Sequence, residues 1–370
     1  MTIFVPKIKL QEVNMAQHFI ILLLKPENYT YAMKRPLLTA FVFCVTAFMA
    51  LAQTEKQQGP SQQGAATPEN QLIALRHQME EATDVRQQRQ LLREMAATGT
   101  FVAMTTIASH LDTPELSKTA ARGVVDIALA HPEYDGHNTR QLLAKSLPYV
   151  GNSQRKAIVA RLAQTPVEGY VSHFNGHDLT GWKGLVQNPI AREQMTPVVL
   201  AQQQAEADQR MRDDWKVEDG LLAYVGTGYD NICTVEQYGD FEMLVDWRLD
   251  PDGKEPDAGI YLRGTPQVQI WDIRRTNVGA QVGSGGLYNN QKYRDIPLCV
   301  ADNPLGEWNS FYIRMQGDRV TVRLNGILVV DNVPLENYWD RSRPIFPVEQ
   351  IELQAHGSKV YYRDIYIKRL

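Results

Sequence analysis

Apolar residues recur at helical spacing from about residue 69 to residue 165. Six successive stretches place apolar side chains three or four positions apart, which is the periodicity of an amphipathic helix. Several stretches open on Asp, Thr or Asn, the residues that cap helix N-termini. The pattern predicts an all-α region, and the succession of short helices favours a HEAT-like arrangement. The stretches are "NQLIALRHQMEEA", "DVRQQRQLLREMAAT", "FVAMTTIASHL", "TPELSKTAARGVVDIALAH", "NTRQLLAKSLPYV" and "NSQRKAIVARLAQ".

From about residue 168 onward, apolar and polar residues alternate with a period of two, which is typical of half-buried strands. Gly-Asp at 317–318 and Asn-Gly at 325–326 mark two hairpin turns. Short strands separated by such turns predict a sandwich or jelly roll over 168–370. An Ala- and Gln-rich stretch at 188–215 predicts a helical insertion, either a lid or a brace. The predicted fold class is α+β multidomain, a helical region followed by an all-β sandwich.

The closing stretch "IELQAHG" places Glu352, Gln354 and His356 on one side of a strand and apolar residues on the other. Other predicted strands also carry polar residues at alternate positions, so we expect one groove that gathers them, with Asp272 at a strand end. Polar residues are the default on a solvated sheet face, and periodicity alone favours that ordinary interpretation. The mixture of Trp, Tyr, Gln, Arg and His suits sugar hydroxyls and ring faces better. The groove residues on the strands are Asp246, Arg248, Tyr261, Arg263, Gln267, Gln269, Gln354 and His356.

The N-terminal pattern predicts export. A basic Lys34-Arg35 pair, a short apolar run and an Ala-x-Ala site at 50–52 form a secretory signal peptide over 33–52. The apolar run is too short for a confident membrane span, so we expect a periplasmic or secreted protein that starts near Gln53 and has no integral span. Residues 1–32 then belong to an over-extended start. The polar segment 53–68 is predicted to be a disordered linker.

Composition narrows the function classes. The 370 residues carry 44% hydrophobic side chains and a formal net charge of −4, so no basic field favours nucleic acid as a partner. Cys233 and Cys299 follow the signal peptide, and export permits them to pair or to stay as buried thiols. The glycine-rich segment 279–290 lacks the Lys-Ser/Thr of a phosphate loop. No zinc-type Cys/His spacing and no Gly-x-Ser-x-Gly nucleophile motif occurs in the sequence.

Residues from about 170 to 370 resemble the 3-keto-disaccharide hydrolase domain family. This resemblance implies a concanavalin A-like sandwich and a carbohydrate substrate, a glycoside already oxidised at the sugar C3. The implied reaction is removal of the C2 proton and elimination of the C1 substituent, with or without hydration. The chain departs from the family pattern in its helical front region and its insertion. The matching stretches are "FNGHDLTGW", "WKVEDGLL", "YGDFEMLVDWRL", "DAGIYLRG", "PQVQIWD", "GEWN", "VRLNG" and "IELQAHGSKVYYRDIYI".

Such a reaction needs a base, an acid for the leaving oxygen, and a donor or cation for the enolate oxygen. Residue type and the resemblance together suggest His356 or Asp246 as the base and Arg248 or Arg263 as the enolate partner. Asp272 is a candidate acid or sugar-orienting group. A divalent metal ion in place of an arginine stays open. The candidate hydroxyl-binding residues are Arg248, Tyr261, Gln267, Gln269 and Gln354.

Two other functions stay open at this point. A carbohydrate-binding module shares the sandwich but needs no His–Asp–Arg set, because fold alone does not decide function. A conventional glycosidase needs two carboxylates about 5–9.5 Å apart. Glu242 and Asp246 supply carboxylates, but no compact acidic repeat accompanies them.

Overall fold

The structure is a computed structural model, and it describes residues 58–370. The predictions for the upstream segment, the signal peptide and the start of the linker lie outside these residues. Within the predicted linker, residues 58–67 follow the sandwich: the main-chain N–H of Gln62 donates to the carbonyl of Val300 at 2.7 Å, and Thr67 Oγ1 donates to the carbonyl of Asn325 at 2.7 Å. This part of the segment is held in place by hydrogen bonds.

Six α-helices form the first part of residues 58–370, and they coincide with the six predicted stretches. Thr67, Asp84 and Thr100 cap the first three by accepting a main-chain N–H three residues on, which satisfies donors that a helix start leaves free. The predicted helical region is confirmed, whereas its HEAT-like pairing stays a prediction. The helices are α1 (Pro68–Glu81), α2 (Val85–Thr98), α3 (Phe101–Ala108), α4 (Ser117–Ala130), α5 (His137–Ser146) and α6 (Asn152–Leu162).

Helix α4 is the centre of this region. It packs against α2, α3 and α5, and its apolar side chains are almost fully buried. Gly123 lies where α4 meets α2 and α3, because a Cβ at this position would come within 3.2–3.3 Å of Ala96 and Ile107. The buried set includes Met95, Phe101, Met104, Ile107, Val124, Val125 and Ile127.

Thirteen strands follow along the rest of the described chain and form two antiparallel sheets. The larger sheet has the strand order β11-β10-β9-β6-β13-β4-β3, with β1 paired to β13, and the smaller has the order β2-β5-β12-β7-β8. The strands are β1 (Val171–Ser172), β2 (Trp182–Gly184), β3 (Trp215–Glu218), β4 (Leu221–Tyr224), β5 (Ile232–Thr234), β6 (Phe241–Leu249), β7 (Asp257–Leu262), β8 (Thr265–Trp271), β9 (Asn309–Gln316), β10 (Arg319–Leu324), β11 (Ile327–Pro334), β12 (Glu352–Leu353) and β13 (Val360–Arg369).

The sandwich core lies between the two sheets and is filled by the alternate residues of each strand. On β6 the inward residues are Phe241, Met243, Val245 and Trp247, in the phase that the sequence alternation predicts. The fold class, a helical region followed by an antiparallel β-sandwich, is confirmed.

The helices cover the outer face of the eight-stranded sheet. Leu244 and Tyr366 point outward from this sheet and pack against the helical core, and Tyr170 is buried in it. Arg76 of α1 forms an ion pair with Asp364 of β13. The outer face of the central strands β6 and β13 is therefore covered by protein.

The predicted insertion is helical and fixed along the edge of the smaller sheet. It contains α7 (Pro189–Glu193) and α8 (Pro197–Asp214). Gln204 Nε2 donates to the carbonyl of Gly184 at 2.8 Å, and the Gly184 N–H donates to Asp208 Oδ1 at 2.9 Å. A Cβ at Gly184 would come within 2.1 Å of the Ala207 carbonyl oxygen, so glycine permits this close approach. These contacts favour the brace over the lid.

No helix within 58–370 is long and apolar enough to cross a membrane.

Candidate functional site

The outer face of the five-stranded sheet carries a dense set of polar side chains. Ala258 and Ile260 of β7 and Val268 and Ile270 of β8 point into the core, so the residues between them point outward. We call this surface the glutamine face. It consists of Asp257, Tyr261, Gln267, Gln269, Glu352, Gln354 and His356.

Strand register brings these residues together across three adjacent strands. Gly259 pairs with Gln269, Glu352 pairs with Tyr261, and the Gln354 N–H donates to the Gly259 carbonyl at 2.9 Å. A Cβ on Gly259 would lie 2.9 Å from both the Gln267 amide carbon and Gln354 Oε1. The absence of a side chain at Gly259 is therefore what lets two glutamines meet above the strand.

A chain of hydrogen bonds orients the glutamines. Gln267 Nε2 donates to Gln269 Oε1, and Gln269 Nε2 donates to Asp257 Oδ1 at 2.7 Å. Gln269 also donates to the carbonyls of Ala258 and Ile270, each at 3.1 Å. Both glutamines are nearly fully buried. This network fixes which oxygen and which nitrogen each amide presents.

Asp257 and His356 form a pair of titratable side chains on this face. His356 Nδ1 lies 3.9 Å from Asp257 Oδ2, and Arg275 Nη1 lies 3.4 Å from the same oxygen. Burial raises the pKa of the Asp257 carboxyl, against the lowering effects of His356, Gln269 and Arg275. The His356 side chain is 30% exposed, so it is accessible from solvent.

Glu352 is a carboxyl group that burial keeps protonated. Its pKa is raised to about 8, and Arg192 and a hydrogen bond with Asn231 lower it only in part. Glu352 Oε2, Gln354 Oε1 and His356 Nδ1 have no hydrogen-bond partner among the described residues. Buried polar atoms normally have partners, so the three unpartnered atoms make this face the candidate site of the sandwich.

Exposed tyrosines stand at the border of this face. Tyr229 contacts His356 edge-on with ring centroids 5.2 Å apart, and Tyr288 contacts Trp271 in the same way at 5.3 Å. Tyr229 is 70% exposed and Tyr288 is 50% exposed. Large exposed rings beside convergent polar groups are typical of a binding surface.

The structure brings five of the predicted site residues onto this face and places the other four elsewhere. The five are Tyr261, Gln267, Gln269, Gln354 and His356. Their convergence follows from the alternation in three adjacent strands. What each residue does there stays a prediction.

The predicted convergence is wrong for Asp246 and Arg248, because both lie on the other sheet. Asp246 points outward from β6 beneath the helices, where it pairs with Arg363 Nε at 3.2 Å and with Arg76 Nη1 at 3.7 Å. Arg248 stacks over the rings of Trp308 and Tyr361 at 4.9 and 4.7 Å. Alternation gives the face of a strand but does not say which sheet the strand joins.

Arg263 shares the sequence phase of Tyr261 but turns away from the face. A register shift between Ile260 and Leu262 precedes it, and its φ is 49° in the tight turn between β7 and β8. Its guanidinium donates to the carbonyl of Pro347 at 3.0 Å and to that of Gly317. The turn geometry overrides the strand alternation, and the predicted placement is wrong.

Asp272 follows the last residue of β8 and lies at one end of the sandwich. It pairs with Arg274 Nε at 2.9 Å and lines a cavity of about 300 Å³ together with Trp247 and Asp302. Its predicted place in the groove is therefore wrong: the Asp272 N–H still donates to the Pro256 carbonyl at 3.2 Å, and the side chain lies beside Trp247 and Asp302 and not among the glutamines.

Two residues of the face were missed in the sequence, although the signal was present. Asp257 has the same phase as Tyr261 in "DAGIYLRG", and Glu352 has the same phase as Gln354 and His356. Nothing in the alternation distinguishes them from ordinary solvated carboxylates. Only their burial does, since Asp257 is 7% and Glu352 1% exposed.

Metal ligation was left open by the sequence. Within the described part of the chain, no group of three His, Cys, Asp or Glu side chains lies close enough to hold a metal ion. Cys233 and Cys299 are both buried and unpaired.

These features define a two-sheet sandwich whose smaller sheet carries the glutamine face. The family described as the 3-keto-alpha-glucoside-1,2-lyase-like domain matches residues 169–368, which is more than half of the chain. The chain belongs to this family, and membership makes it a carbohydrate-active protein. A comparison with curated proteins found no match.

The solved structures that match this chain do so with low sequence identity and low TM-scores. A protein of Parabacteroides distasonis ATCC 8503, described as a candidate glycosyl hydrolase, is 24% identical with a TM-score of 0.39, over 55% of this chain and 94% of that one. A carbohydrate-binding module from Bacillus subtilis, CBM66, is 10% identical with a TM-score of 0.30, over 51% of this chain and 96% of that one.

Proposed function

We propose that the glutamine face cleaves glycosides whose sugar carries a ketone at C3, by removing the C2 proton and expelling the C1 substituent. The family description supports this reaction class. The observation that carries it is the pair formed by His356 and Asp257, with an unpartnered imidazole nitrogen beside a buried carboxylate. An imidazole beside a carboxylate is a suitable general base, because the carboxylate stabilises the imidazolium that forms when the proton is taken up.

The proposed reaction has two steps, removal of the C2 proton and elimination of the C1 substituent. His356 accepts the C2 proton, and the C–H electron pair forms the enolate, with negative charge on the C3 oxygen. The enolate then re-forms the ketone, the electrons make the C1–C2 double bond, the C1–O bond breaks, and the leaving oxygen takes a proton from the His356 imidazolium, which returns His356 to its neutral form. Addition of water across C1 and C2 gives net hydrolysis. Asp257 stabilises the imidazolium, and Arg275 is the cation that contacts this pair.

Glu352 has a supporting role because of its burial. Its side chain is 1% exposed and its Oε2 atom is buried, so a substrate on the face does not reach it. Burial also keeps it protonated at neutral pH. We therefore assign it as a neutral group beneath the face, and Gln354, which is partly exposed, as a residue that binds substrate hydroxyls.

The conventional glycosidase is the weaker alternative. Strand register pairs Glu352 with Tyr261, four residues from Asp257, and Glu352 is only 1% exposed, whereas hydrolysis by two carboxylates needs both groups beside the glycosidic bond. Glu242 and Asp246 lie beneath the helices, where Glu242 accepts the hydroxyls of Tyr170 and Tyr312. Neither carboxylate pair suits two-carboxylate hydrolysis.

One assay tests the function directly. The full-length protein is incubated with an alkyl glucoside and, separately, with its 3-keto form. We expect aglycone release from the 3-keto glucoside alone, since only the ketone acidifies the C2 proton. Binding of both compounds without release supports a binding module instead. Equal release from both supports a conventional glycosidase.

We also propose that the protein is exported. The basic pair, apolar run and Ala-x-Ala site at 33–52 support this. N-terminal sequencing of the protein from its native cells tests it, and we expect a mature chain beginning near Gln53. A mature protein that keeps Met33 contradicts the proposal.

A further inference from the structure

A cavity of about 420 Å³ lies between the helices and the outer face of the eight-stranded sheet. We call it the interface cavity. Leu72 and Ile73 of α1 and Phe101 of α3 line its helical side, and Leu244 and Tyr312 line its sheet side. Its volume falls within the roughly 300–1,000 Å³ of small-molecule sites, which occur preferentially between domains. The glutamine face lies on the opposite side of the sandwich.

One wall of the interface cavity is aromatic. The ring of Phe101 lies 4.8 Å from that of Tyr170 and 5.6 Å from that of Tyr134, and all three residues line the cavity. Contacts within this cluster fix the rings, so the wall is formed before any ligand arrives. Such a wall suits the apolar C–H face of a sugar ring.

The acceptor wall of the cavity consists of one available carboxyl group. Glu242 is already engaged, since it accepts the hydroxyls of Tyr170 and Tyr312 at 3.0 and 3.1 Å and pairs with Arg314 Nη1 at 3.2 Å. Glu69 of α1 lines the cavity without an ion pair to any residue within 58–370, and burial raises the pKa of its carboxyl. A carboxyl group accepts hydrogen bonds from more than one hydroxyl, so Glu69 suits a donor-rich neutral ligand.

The charges argue against an anionic ligand. The lining carboxylates are Glu69, Glu133, Glu242 and Asp246, and the lining cations are Arg323 and Lys368. Most of these acids are already engaged, Glu133 with His131 and Asp246 with Arg363. Glu69 is therefore the main available acceptor, and a single acceptor beside an aromatic wall suits the hydroxyls of a neutral ligand better than several positive charges.

From the aromatic wall, the acceptor wall and the volume, we propose that the interface cavity is a second, non-catalytic site for a neutral mono- or disaccharide. The proposal rests on the carbohydrate activity of the family and not on the C3 reaction. A ligand here contacts the helices and the sheet together, so its binding joins the two regions.

Calorimetric titration of the full-length protein with methyl glucoside, maltose, cellobiose and sucrose tests the proposal. None of these sugars has a C3 ketone, so the elimination does not consume them. We expect saturable binding of at least one. Leu244→Trp and Ile73→Trp fill the cavity from its two sides and should weaken binding by at least about tenfold, whereas Gln269→Ala on the other sheet should change it by less than about threefold.

Ile73 is partly exposed on α1, so its substitution keeps the test usable if Leu244→Trp does not fold. The melting temperature of each variant shows whether the fold survives. Both tryptophan variants should keep full turnover of a 3-keto glucoside, which separates this site from the proposed reaction. A protein that binds the sugars but releases no aglycone retains this site while the reaction fails.

Three results would overturn the proposal. They are absence of binding by all four sugars, binding that survives both tryptophan substitutions, and binding that only Gln269→Ala removes. Spermidine is the competing probe. If it binds the cavity tenfold more tightly than any of the sugars, the site is for amines.

Discussion

The two outer faces of the sandwich carry similar polar residues and handle them in opposite ways. On the eight-stranded sheet, Asp246 meets Arg363 and Arg76, and the helices close over them. On the five-stranded sheet, Glu352, Gln354 and His356 keep buried atoms without a partner, and on the eight-stranded sheet Arg363 Nη2 does so too. The difference is that paired charges hold the helices on the larger sheet, whereas within residues 58–370 no helical region covers the polar residues of the smaller sheet with opposite charges.

The largest expected effect is loss of activity at the glutamine face. His356→Ala should reduce turnover of a 3-keto glucoside by about 10²–10⁴-fold, the usual contribution of a general base. The melting temperature should change little, because His356 is partly exposed and leaves no core cavity. Asp257→Asn should act in the same direction through its loss of charge beside the imidazole. Full activity in both variants would place the chemistry elsewhere.

The second effect is loss of stability at the helix-covered face. Asp246→Asn removes one of the two carboxylates beside the buried Arg363, the other being Asp364 at 3.5 Å, so the loss of unfolding free energy should be at the lower end of the roughly 3–5 kcal/mol that breaking a buried pair costs. Chemical denaturation measures the loss, and turnover of the folded variant should stay near that of the wild type. A stable but inactive variant would assign the base to Asp246 and would show that the helix-covered face, and not the glutamine face, is catalytic.

The third effect is a change in pH dependence. The folded-state pKa of Glu352 is raised to about 8 from 4.5. Its stabilising contribution is therefore complete below about pH 4.5 and is lost as the pH rises through 8. Glu352→Gln should flatten the decline of unfolding free energy between about pH 5 and pH 8, by a few kcal/mol in total.

Asp302→Asn is the matched comparison for this titration. Burial raises the pKa of Asp302 to about 6, so its substitution should flatten a lower window, between about pH 4 and pH 6. Identical slopes in the wild type and Glu352→Gln would show that Glu352 is ionised in the folded protein.

The smallest effect is expected at Arg248. Its guanidinium stacks over two rings on the helix-covered sheet, and each such contact is worth about 0.5–1 kcal/mol at a partly exposed site. Arg248→Ala should lower stability by about that amount and leave turnover unchanged. A loss of turnover would bring Arg248 back into the catalytic groove that the sequence predicts.

The sequence predicts the elements and their faces better than their assembly. Helical and strand periods identify both regions, and alternation correctly puts Gln269 and His356 on outward positions. Alternation is a local property and cannot tell that β6 and β8 belong to different sheets, which is why Asp246 is misplaced. Arg263 fails for a different reason, since a register shift and a tight turn reverse its direction.

Burial is the other property that the sequence does not show. Asp257 and Glu352 have the phase of surface carboxylates, yet they are only 7% and 1% exposed in the folded protein. The strand pattern contains no information about a covering segment distant in sequence. The burial of such residues and their hydrogen-bond partners are visible only in the folded structure.

The most direct test of the central claim is the rate of aglycone release from a 3-keto glucoside by His356→Ala and Asp246→Asn, measured side by side on folded protein. The account predicts a loss of at least about 10²-fold for His356→Ala and a rate within about threefold of wild type for Asp246→Asn. The reverse pattern, an inactive Asp246→Asn beside a fully active His356→Ala, would contradict it.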